Sequence, residues 1–231
     1  MTEILSQYFT VLSFDNRGVG RSQPAATRLT VPQMTRDTLA LMDHAGWESA
    51  HIMGHSLGGL IAQDLALTAK PRVRSLSLLC TFANGADGTR VSGRVIWIGL
   101  RMRFAPRPVR RDAFLELVLP PGGERHNPAE VAAVLSRAFG HDIADLPPKS
   151  DEQLSAMGKC DVTPRLGELS GIPTLVISAE HDLIARPSSG RAIADGIPGA
   201  RFMEIKGASH AFPVLEPKRC AALLIEHISR S

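Results

Sequence analysis

The chain has few cysteines, the residues that form disulfides in small secreted domains and that bind zinc. It contains only three cysteines, Cys80, Cys160 and Cys220, and they lie far apart without the paired spacing of zinc or redox sites. No stretch approaches the roughly 20 consecutive apolar residues that a membrane-spanning helix needs. We therefore expect buried, reduced thiols, and neither a disulfide framework, a metal site nor a membrane span.

Charge of one sign is also scarce, because the formal net charge of the 231 residues is only +3 and aromatic residues make up 5%. Nucleic-acid binding would require a basic stripe with stacking aromatics. The densest basic run instead alternates with apolar residues, as on the solvated face of an amphipathic helix; its members are Arg101, Arg103, Arg107, Arg110 and Arg111. We expect no nucleic-acid partner. The first residues, with Glu3 where a secretory signal carries basic residues, predict a cytoplasmic protein.

Hydrophobic periodicity alternates between strand and helix, which predicts the α/β class with a doubly wound, mostly parallel sheet. From about residue 82 to residue 163 the pattern is helical and interrupted by prolines. We therefore predict an α/β core formed by residues 1–81 and 164–231, with residues 82–163 inserted as a helical cap. The predicted strands are 9–14, 50–54, 73–80, 173–178 and 201–205, and the main predicted helices of the core are 30–45, 57–69, 187–197 and 213–228.

The segment Gly54-His55-Ser56-Leu57-Gly58 has the pattern G-x-S-x-G. It lies between a predicted strand and a predicted helix, where glycines permit a tight turn that exposes a serine at the carboxyl edge of the sheet. The pattern alone is weak, and a glycine-rich helix start with an incidental serine would look the same. The strand before it and the helix after it favour Ser56 as a nucleophile, with the backbone N–H of Leu57 directed at a developing oxyanion.

A nucleophilic serine needs a base and a group that orients the base. His210 lies in a small-residue loop directly after a strand, and Asp182 follows another strand by a few residues. A surface histidine and a turn carboxylate are the simpler interpretations of each residue taken alone. All three side chains nevertheless follow carboxyl ends of predicted parallel strands, where such sheets gather their functional loops. Their order, Ser, Asp, His, is the α/β-hydrolase order.

With these residues in place, the sequence resembles the α/β-hydrolase superfamily, and within it the small bacterial enol-lactonases, cofactor-free haloperoxidases and related esterases. The resemblance covers nearly the whole chain; it rests on residues 14–22 (FDNRGVGRS), 54–59 (GHSLGG), 173–177 with Asp182, and 207–210 (GASH). It implies that Ser56 is the nucleophile, His210 the general base and Asp182 its orienting carboxylate, with no cofactor. His55 and Glu180 are neighbours to which it gives no role.

The resemblance also implies elements that this sequence does not contain. About 40 to 50 residues of the family's first strands are absent, including a His-Gly loop that supplies the second oxyanion donor. The lost strand would lie between segments 9–14 and 50–54, in the middle of the sheet. Truncation is favoured over two alternatives, a rearrangement that moves segment 9–14 beside segment 50–54, and a partner chain that completes the sheet; association into a homo-oligomer stays open. Loss of one oxyanion donor typically costs about 3–4 kcal/mol of transition-state stabilisation.

The expected function is that of a serine hydrolase that cleaves a small-molecule ester or lactone through an acyl-serine. Apolar residues of the insertion are expected to cover an apolar pocket; they are Val95, Ile96, Trp97, Ile98, Leu100 and Phe104. The alternatives are a cofactor-free peroxidase, a carbon–carbon bond hydrolase, and a non-catalytic relative that only binds. By the same resemblance, Ser56 argues against the dehalogenases and epoxide hydrolases, which use an aspartate nucleophile.

Overall fold

The computed structural model describes residues 1–23, 28–88, 92–122, 127–145 and 149–231. Four strands and ten α-helices are assigned in these ranges. The strands are β1 (Ala50–His55), β2 (Val73–Leu79), β3 (Thr174–Ala179) and β4 (Arg201–Ile205). The helices are α1 (Thr2–Leu5), α2 (Val31–His44), α3 (Leu57–Thr68), α4 (Gly93–Phe104), α5 (Arg107–Val118), α6 (Pro128–Phe139), α7 (Ser150–Gly158), α8 (Pro187–Gly196), α9 (Phe212–Leu215) and α10 (Pro217–Ser229).

The four strands form one parallel sheet in the order β1-β2-β3-β4. Each crossover between neighbouring strands contains at least one helix, as parallel pairing requires. The α/β class and four of the five predicted strands are confirmed. Thr30 caps the N-terminus of α2, because its hydroxyl accepts a hydrogen bond from the Gln33 N–H at 3.2 Å.

Both faces of the sheet are buried, and the alternation of side chains along each strand divides the core in two. Leu76, Leu78 and Val176 point to the face that packs against α2, α3 and α8. Leu79 and Ile177 point to the opposite face, against α1 and α10. This double coverage explains why the strands read as nearly continuous apolar runs, and it leaves the carboxyl ends of the strands as the place for functional loops.

The strand predicted at residues 9–14 is wrong, because this segment has no partner in the sheet. Strand β1 pairs with β2 alone among the described residues, so the predicted alternative in which segment 9–14 moves beside β1 is not observed either. A groove of about 430 Å³ lies between Phe9–Phe14 and β1. An extended segment forms a strand only where another strand accepts its backbone hydrogen bonds, and no local sequence pattern supplies that neighbour.

The segment between β2 and β3 carries helices α4 to α7, as the helical pattern predicts. The expectation that its apolar residues cover a pocket is wrong for most of α4. Only Ile98 of this set is fully buried, whereas Trp97 is 62% exposed and Phe104 is 73% exposed. The buried contacts of the insertion come instead from α5 and α6, through Leu115, Val118 and Leu135.

Four of the five arginines in the basic run form ion pairs with carboxylates of the insertion itself. Arg101 pairs with Glu116 at 2.6 Å, and Arg107 pairs with Asp145 at 2.6 Å. Arg103 and Arg111 contact Asp151 and Asp142, respectively. These pairs support the interpretation of the run as a solvated, paired surface. In the part of the chain that the structure describes, no helix is long and apolar enough to cross a membrane.

Candidate active site

Ser56 occupies a strained turn between β1 and α3. Its φ is +54°, a left-handed conformation that a residue with a side chain adopts only at some cost, of the order of 1–3 kcal/mol. Two hydrogen bonds hold this backbone: the Ser56 N–H donates to the Leu79 carbonyl at 3.0 Å, and the Thr81 hydroxyl donates to the Ser56 carbonyl at 2.7 Å. The turn therefore places the Ser56 side chain at the carboxyl edge of the sheet, as predicted.

The turn depends on two glycines, but they are not the pair in the G-x-S-x-G pattern. A Cβ at Gly54 would lie 2.2 Å from the Gly58 carbonyl oxygen, and a Cβ at Gly59 would lie 2.6 Å from the Thr81 side chain. A Cβ at Gly58 would meet nothing within 4 Å. Close packing of α3 therefore requires Gly59, whereas Gly58 has room for a side chain.

Asp182 and His210 form a buried, hydrogen-bonded pair. The His210 Nδ1 and the Asp182 Oδ2 are 2.8 Å apart, and the two residues are only 7% and 3% exposed. An ionised carboxylate only accepts hydrogen bonds, so this contact places the proton of His210 on Nδ1. The Nε2 of His210 then carries a free lone pair, which is what a general base needs.

The second carboxylate oxygen of Asp182 is held by the backbone of its own loop. Its Oδ1 accepts hydrogen bonds from the N–H groups of Ile184 and Ala185, each at 2.8 Å. Beside it lies Cys80, whose burial, together with the Asp182 carboxylate, raises the pKa of the thiol well above its ordinary value. Cys80 is therefore a neutral thiol. The prediction of buried thiols is confirmed for Cys80 and Cys220 and wrong for Cys160, which is partly exposed.

The loops after β3 and β4 are joined by hydrogen bonds in addition to the Asp182–His210 contact. The Glu180 carboxylate accepts a hydrogen bond from the Gly207 N–H at 2.8 Å. The His181 N–H donates to the Ala208 carbonyl at 2.9 Å. The Gly207 bond and the salt bridge from Lys206 hold the pKa of Glu180 below its usual range, so the carboxylate stays ionised.

The insertion also reaches this loop. The Ser209 hydroxyl donates a hydrogen bond to the Val118 carbonyl at the end of α5, and the Ala211 N–H donates to the same carbonyl at 3.3 Å. His210 is therefore flanked on both sides by bonds to one backbone oxygen. Val118 could not be predicted as part of the site, because nothing in a single sequence marks a carbonyl 91 residues upstream as a partner of Ser209.

His55, the residue before Ser56, contacts the loop that carries His210. Its Nε2 lies 3.0 Å from the His210 carbonyl oxygen. The hydrogen bonds of the described residues include none from the Ser56 hydroxyl to His210. Such a contact is often long without substrate. The Leu57 N–H, at the first turn of α3, makes no hydrogen bond with the described residues either, so it is available to an oxyanion.

A cavity of about 880 Å³ lies between the insertion and the loop after β3, lined by Leu115, Leu119, His181 and Asp182 among others. Neither Ser56 nor His210 lines it, so we do not assign it to the reacting group. Among the described residues, no cluster of three or more His, Cys, Asp or Glu side chains has the arrangement of a metal site.

Comparison with known proteins places this site in a family context. A protein from Azorhizobium caulinodans named "Putative carbamate hydrolase RutD" is 31% identical over 217 residues, which cover 93% of this chain and 79% of that protein. Rhodomycin D methylesterase DauP from a Streptomyces species is 30% identical over 94% of this chain and 80% of its own length.

Among solved structures, the enol-lactonase from Burkholderia xenovorans superposes with a TM-score of 0.80 at 27% identity, covering 98% of this chain and 84% of the other. The model of the α/β hydrolase fold family matches residues 3–217. The chain therefore belongs to the α/β hydrolase fold family.

Proposed function

We propose that this chain is a serine hydrolase that cleaves a small carboxylic ester or lactone through an acyl-serine intermediate. The observation that carries the proposal is the buried Asp182–His210 pair at 2.8 Å, which leaves the His210 Nε2 free beside the strained Ser56 turn. A carboxylate, an imidazole and a hydroxyl at one sheet edge are the parts that nucleophilic acyl transfer requires.

In the first half-reaction, the Ser56 Oγ attacks the substrate carbonyl carbon while the His210 Nε2 takes the hydroxyl proton. The new oxyanion is stabilised by the Leu57 N–H at the positive end of α3. Asp182 stabilises the imidazolium that His210 becomes, and His210 then gives its proton to the leaving alkoxide. The products of this stage are an alcohol and an acyl ester of Ser56.

In the second half-reaction, a water molecule replaces the alcohol. His210 takes a proton from this water as its oxygen attacks the acyl carbonyl, and the same proton returns to the Ser56 oxygen as the ester bond breaks. A carboxylic acid leaves, and the free hydroxyl is restored. For a lactone the alcohol and the acid are parts of one molecule, so a single hydroxy acid is released after the second step.

The ester and lactone class is supported by the names of two similar proteins, a methylesterase and an enol-lactonase. Residues 82–163 are proposed to act as the cap domain that selects the acyl group. Contact of this insertion with the proposed base loop, through Val118 and Ser209, supports that role. The alkyl chain is therefore expected to meet the insertion, and the reacting carbonyl the sheet edge.

A carbamate is the second candidate substrate, because the relative from Azorhizobium is named for carbamate hydrolysis. The same residues would form a carbamoyl-serine in place of an acyl-serine. A carbamate carbonyl is less electrophilic because its nitrogen donates electrons into it. A carbamate hydrolase therefore needs stronger oxyanion stabilisation, and a direct comparison of matched substrates separates the two candidates.

A fluorophosphonate probe tests the nucleophile without knowledge of the natural substrate. The probe should label the wild-type protein, label Ser13→Ala equally, and fail to label Ser56→Ala. Ser13 is an exposed serine in a segment without secondary structure, so its variant controls for nonspecific reaction. Well-folded wild-type protein that takes up no label would favour the non-catalytic binding protein instead.

A substrate panel tests the reaction class. We expect turnover of p-nitrophenyl acetate and butyrate, with loss of at least about 10³-fold in kcat for Ser56→Ala. Faster turnover of p-nitrophenyl N-ethylcarbamate than of the butyrate ester, which matches it in chain length, would favour the carbamate alternative. Labelling of Ser56 without turnover of any ester, lactone or carbamate would contradict the proposed reaction but still support Ser56 as a nucleophile.

A further inference from the structure

The proposed base, His210, must reach Ser56 across the full width of the sheet, and the contacts of its loop with the loop after β3 do not by themselves ensure this. The proposed nucleophile follows β1, whereas the proposed base follows β4, and these strands lie at opposite ends of the sheet. Strands in a sheet are about 4.8 Å apart, so the loop after β4 must cross roughly 14 Å to reach Ser56. The bonds at Glu180, His181 and Asp182 fix this loop only to β3 and its loop, one strand away.

Among the hydrogen bonds of the described residues, a single direct one joins the far end of the loop to β1. The His55 Nε2 lies 3.0 Å from the His210 carbonyl oxygen, and the two imidazole rings are 4.7 Å apart, tilted by 43°. A carbonyl oxygen only accepts hydrogen bonds, so the His55 Nε2 must carry the proton. Because His55 immediately precedes Ser56, this bond connects the backbone of the base to the residue beside the nucleophile.

We infer that His55 is a positioning residue, which fixes His210 within reach of Ser56 by donating its Nε2–H to the His210 carbonyl. This inference rests on the proposed function. His55 does not touch the reacting atoms, and its Nε2 is already used, so it is not a second base. Without the hydrogen bond from His55, the loop that carries His210 would contact the loop after β3 and the insertion, and it would be connected to β1 only through them.

The electrostatic surroundings keep this bond intact while His210 changes charge. Burial lowers the pKa of His55 to about 3, and the neighbouring His210 lowers it further than the Asp182 carboxylate raises it. His55 is therefore neutral in the neutral pH range in which ester hydrolysis is assayed. A neutral ring 4.7 Å away adds no positive charge against the imidazolium that His210 becomes during acyl transfer.

The test compares two substitutions that separate ring volume from hydrogen bonding. His55→Phe keeps an aromatic ring but removes the donor, and His55→Gln keeps an N–H donor at a similar distance from the backbone. Displacement of a reacting group by about 1 Å can cost on the order of 10²-fold in rate. We expect His55→Phe to lower kcat for p-nitrophenyl butyrate by about 10- to 100-fold with KM within about twofold, and His55→Gln to recover most of that loss.

His51→Phe is the matched control. His51 lies four residues earlier on β1 and also makes a side-chain hydrogen bond, between its Nδ1 and the Ser75 hydroxyl at 2.7 Å. Its substitution should lower Tm to a similar extent but leave kcat unchanged. Equal losses in kcat for His51→Phe and His55→Phe would show a general effect on β1 and overturn the inference, as would equal losses for His55→Phe and His55→Gln.

A second measurement does not depend on turnover. In ¹⁵N histidine spectra of the wild-type protein, assigned with the His55→Gln variant, His55 should be the neutral Nε2–H tautomer from pH 5 to pH 8. A His55 signal that titrates in this range, or that shows the Nδ1–H tautomer, would overturn the inference even if the esterase is active. Absence of turnover in the wild type with the expected spectrum would instead contradict the proposed function and leave the His55 bond in place.

Discussion

The two halves of the candidate site are built very differently. The half after β3 and β4 is bonded several times over, since Glu180, His181 and Asp182 all contact the loop that carries His210. The half after β1 consists of a strained residue, Ser56, directly after a strand that has one sheet neighbour among the described residues. The proposed acid and base are therefore held by several side-chain contacts, whereas the proposed nucleophile is held by two hydrogen bonds to its backbone and by close packing at Gly54 and Gly59. Substitutions in one half should therefore mainly lower kcat, and substitutions in the other should mainly lower stability.

The largest effect is expected in the heavily bonded half, on chemistry rather than on stability. Asp182→Asn presents an amide to His210, which favours the wrong tautomer and removes the charge that stabilises the imidazolium, so kcat should fall by about 10⁴-fold. The exposed Asp195→Asn on α8 is the control and should leave kcat unchanged. Steady-state kinetics with p-nitrophenyl butyrate measure both. A loss of less than tenfold for Asp182→Asn would mean that another group orients His210.

The next largest effect is expected on stability, in the half of the site that contains the proposed nucleophile. Alanine substitutions of Gly54 and Gly58, on either side of Ser56, should differ in their effect on the free energy of unfolding. Gly54→Ala places a methyl group 2.2 Å from the Gly58 carbonyl and should destabilise the fold by about 3 kcal/mol. Gly58→Ala meets no atom within 4 Å and lies inside α3, so it should be neutral or stabilise by up to about 1 kcal/mol. Urea denaturation measures both. Similar destabilisation by the two substitutions would contradict the described geometry of the turn.

The same contrast explains which features the sequence predicts. Ser56, Asp182 and His210 each follow a strand of strong local character, and the order of the chain brings such strand ends to one edge of a sheet. The structure accordingly brings these residues to one edge. The difference between Gly58 and Gly59 could not be predicted, because it depends on Thr81, which lies at the end of a different strand.

The wrong predictions also concern contacts that are distant in the chain. Segment 9–14 has the apolar character of a strand, yet a strand requires a neighbour, and in this structure its backbone has none in the sheet. Trp97 and Phe104 have the composition of a buried helix face, but which face of α4 is covered depends on how the helix packs. Burial and pairing across the sheet are properties of the whole fold, so periodicity in one segment does not determine them.

A smaller effect is expected where the insertion meets the base loop. Ser209 is 2% exposed, and its hydroxyl donates to the Val118 carbonyl, which the Ala211 N–H also contacts. Ser209→Ala should therefore destabilise the protein by about 1 kcal/mol, because the carbonyl keeps one partner. Ser229→Ala removes an exposed bond to the Ile225 carbonyl and should cost less. If Ser229→Ala lowers Tm as much as Ser209→Ala does, the contact between the insertion and the loop contributes nothing specific.

The smallest effect is expected far from the acid and base, on the side of β1, where Arg17 forms a bidentate ion pair with Asp37 of α2. This pair holds the pKa of Asp37 below its usual range. A carboxyl whose pKa is lowered by folding contributes stability above its ordinary pKa and loses that contribution as the pH falls through the lowered value.

Asp37→Asn should therefore lower Tm by only about 1–3 °C at pH 7, because partly exposed ion pairs usually contribute little to stability. The difference from wild type should stay constant down to about pH 5 and shrink below about pH 4, where the unfolded carboxyl is protonated. A difference that grows as the pH falls would mean that Asp37 is stabilised in its protonated form, and that the pair with Arg17 is not what holds residues 15–22 against α2.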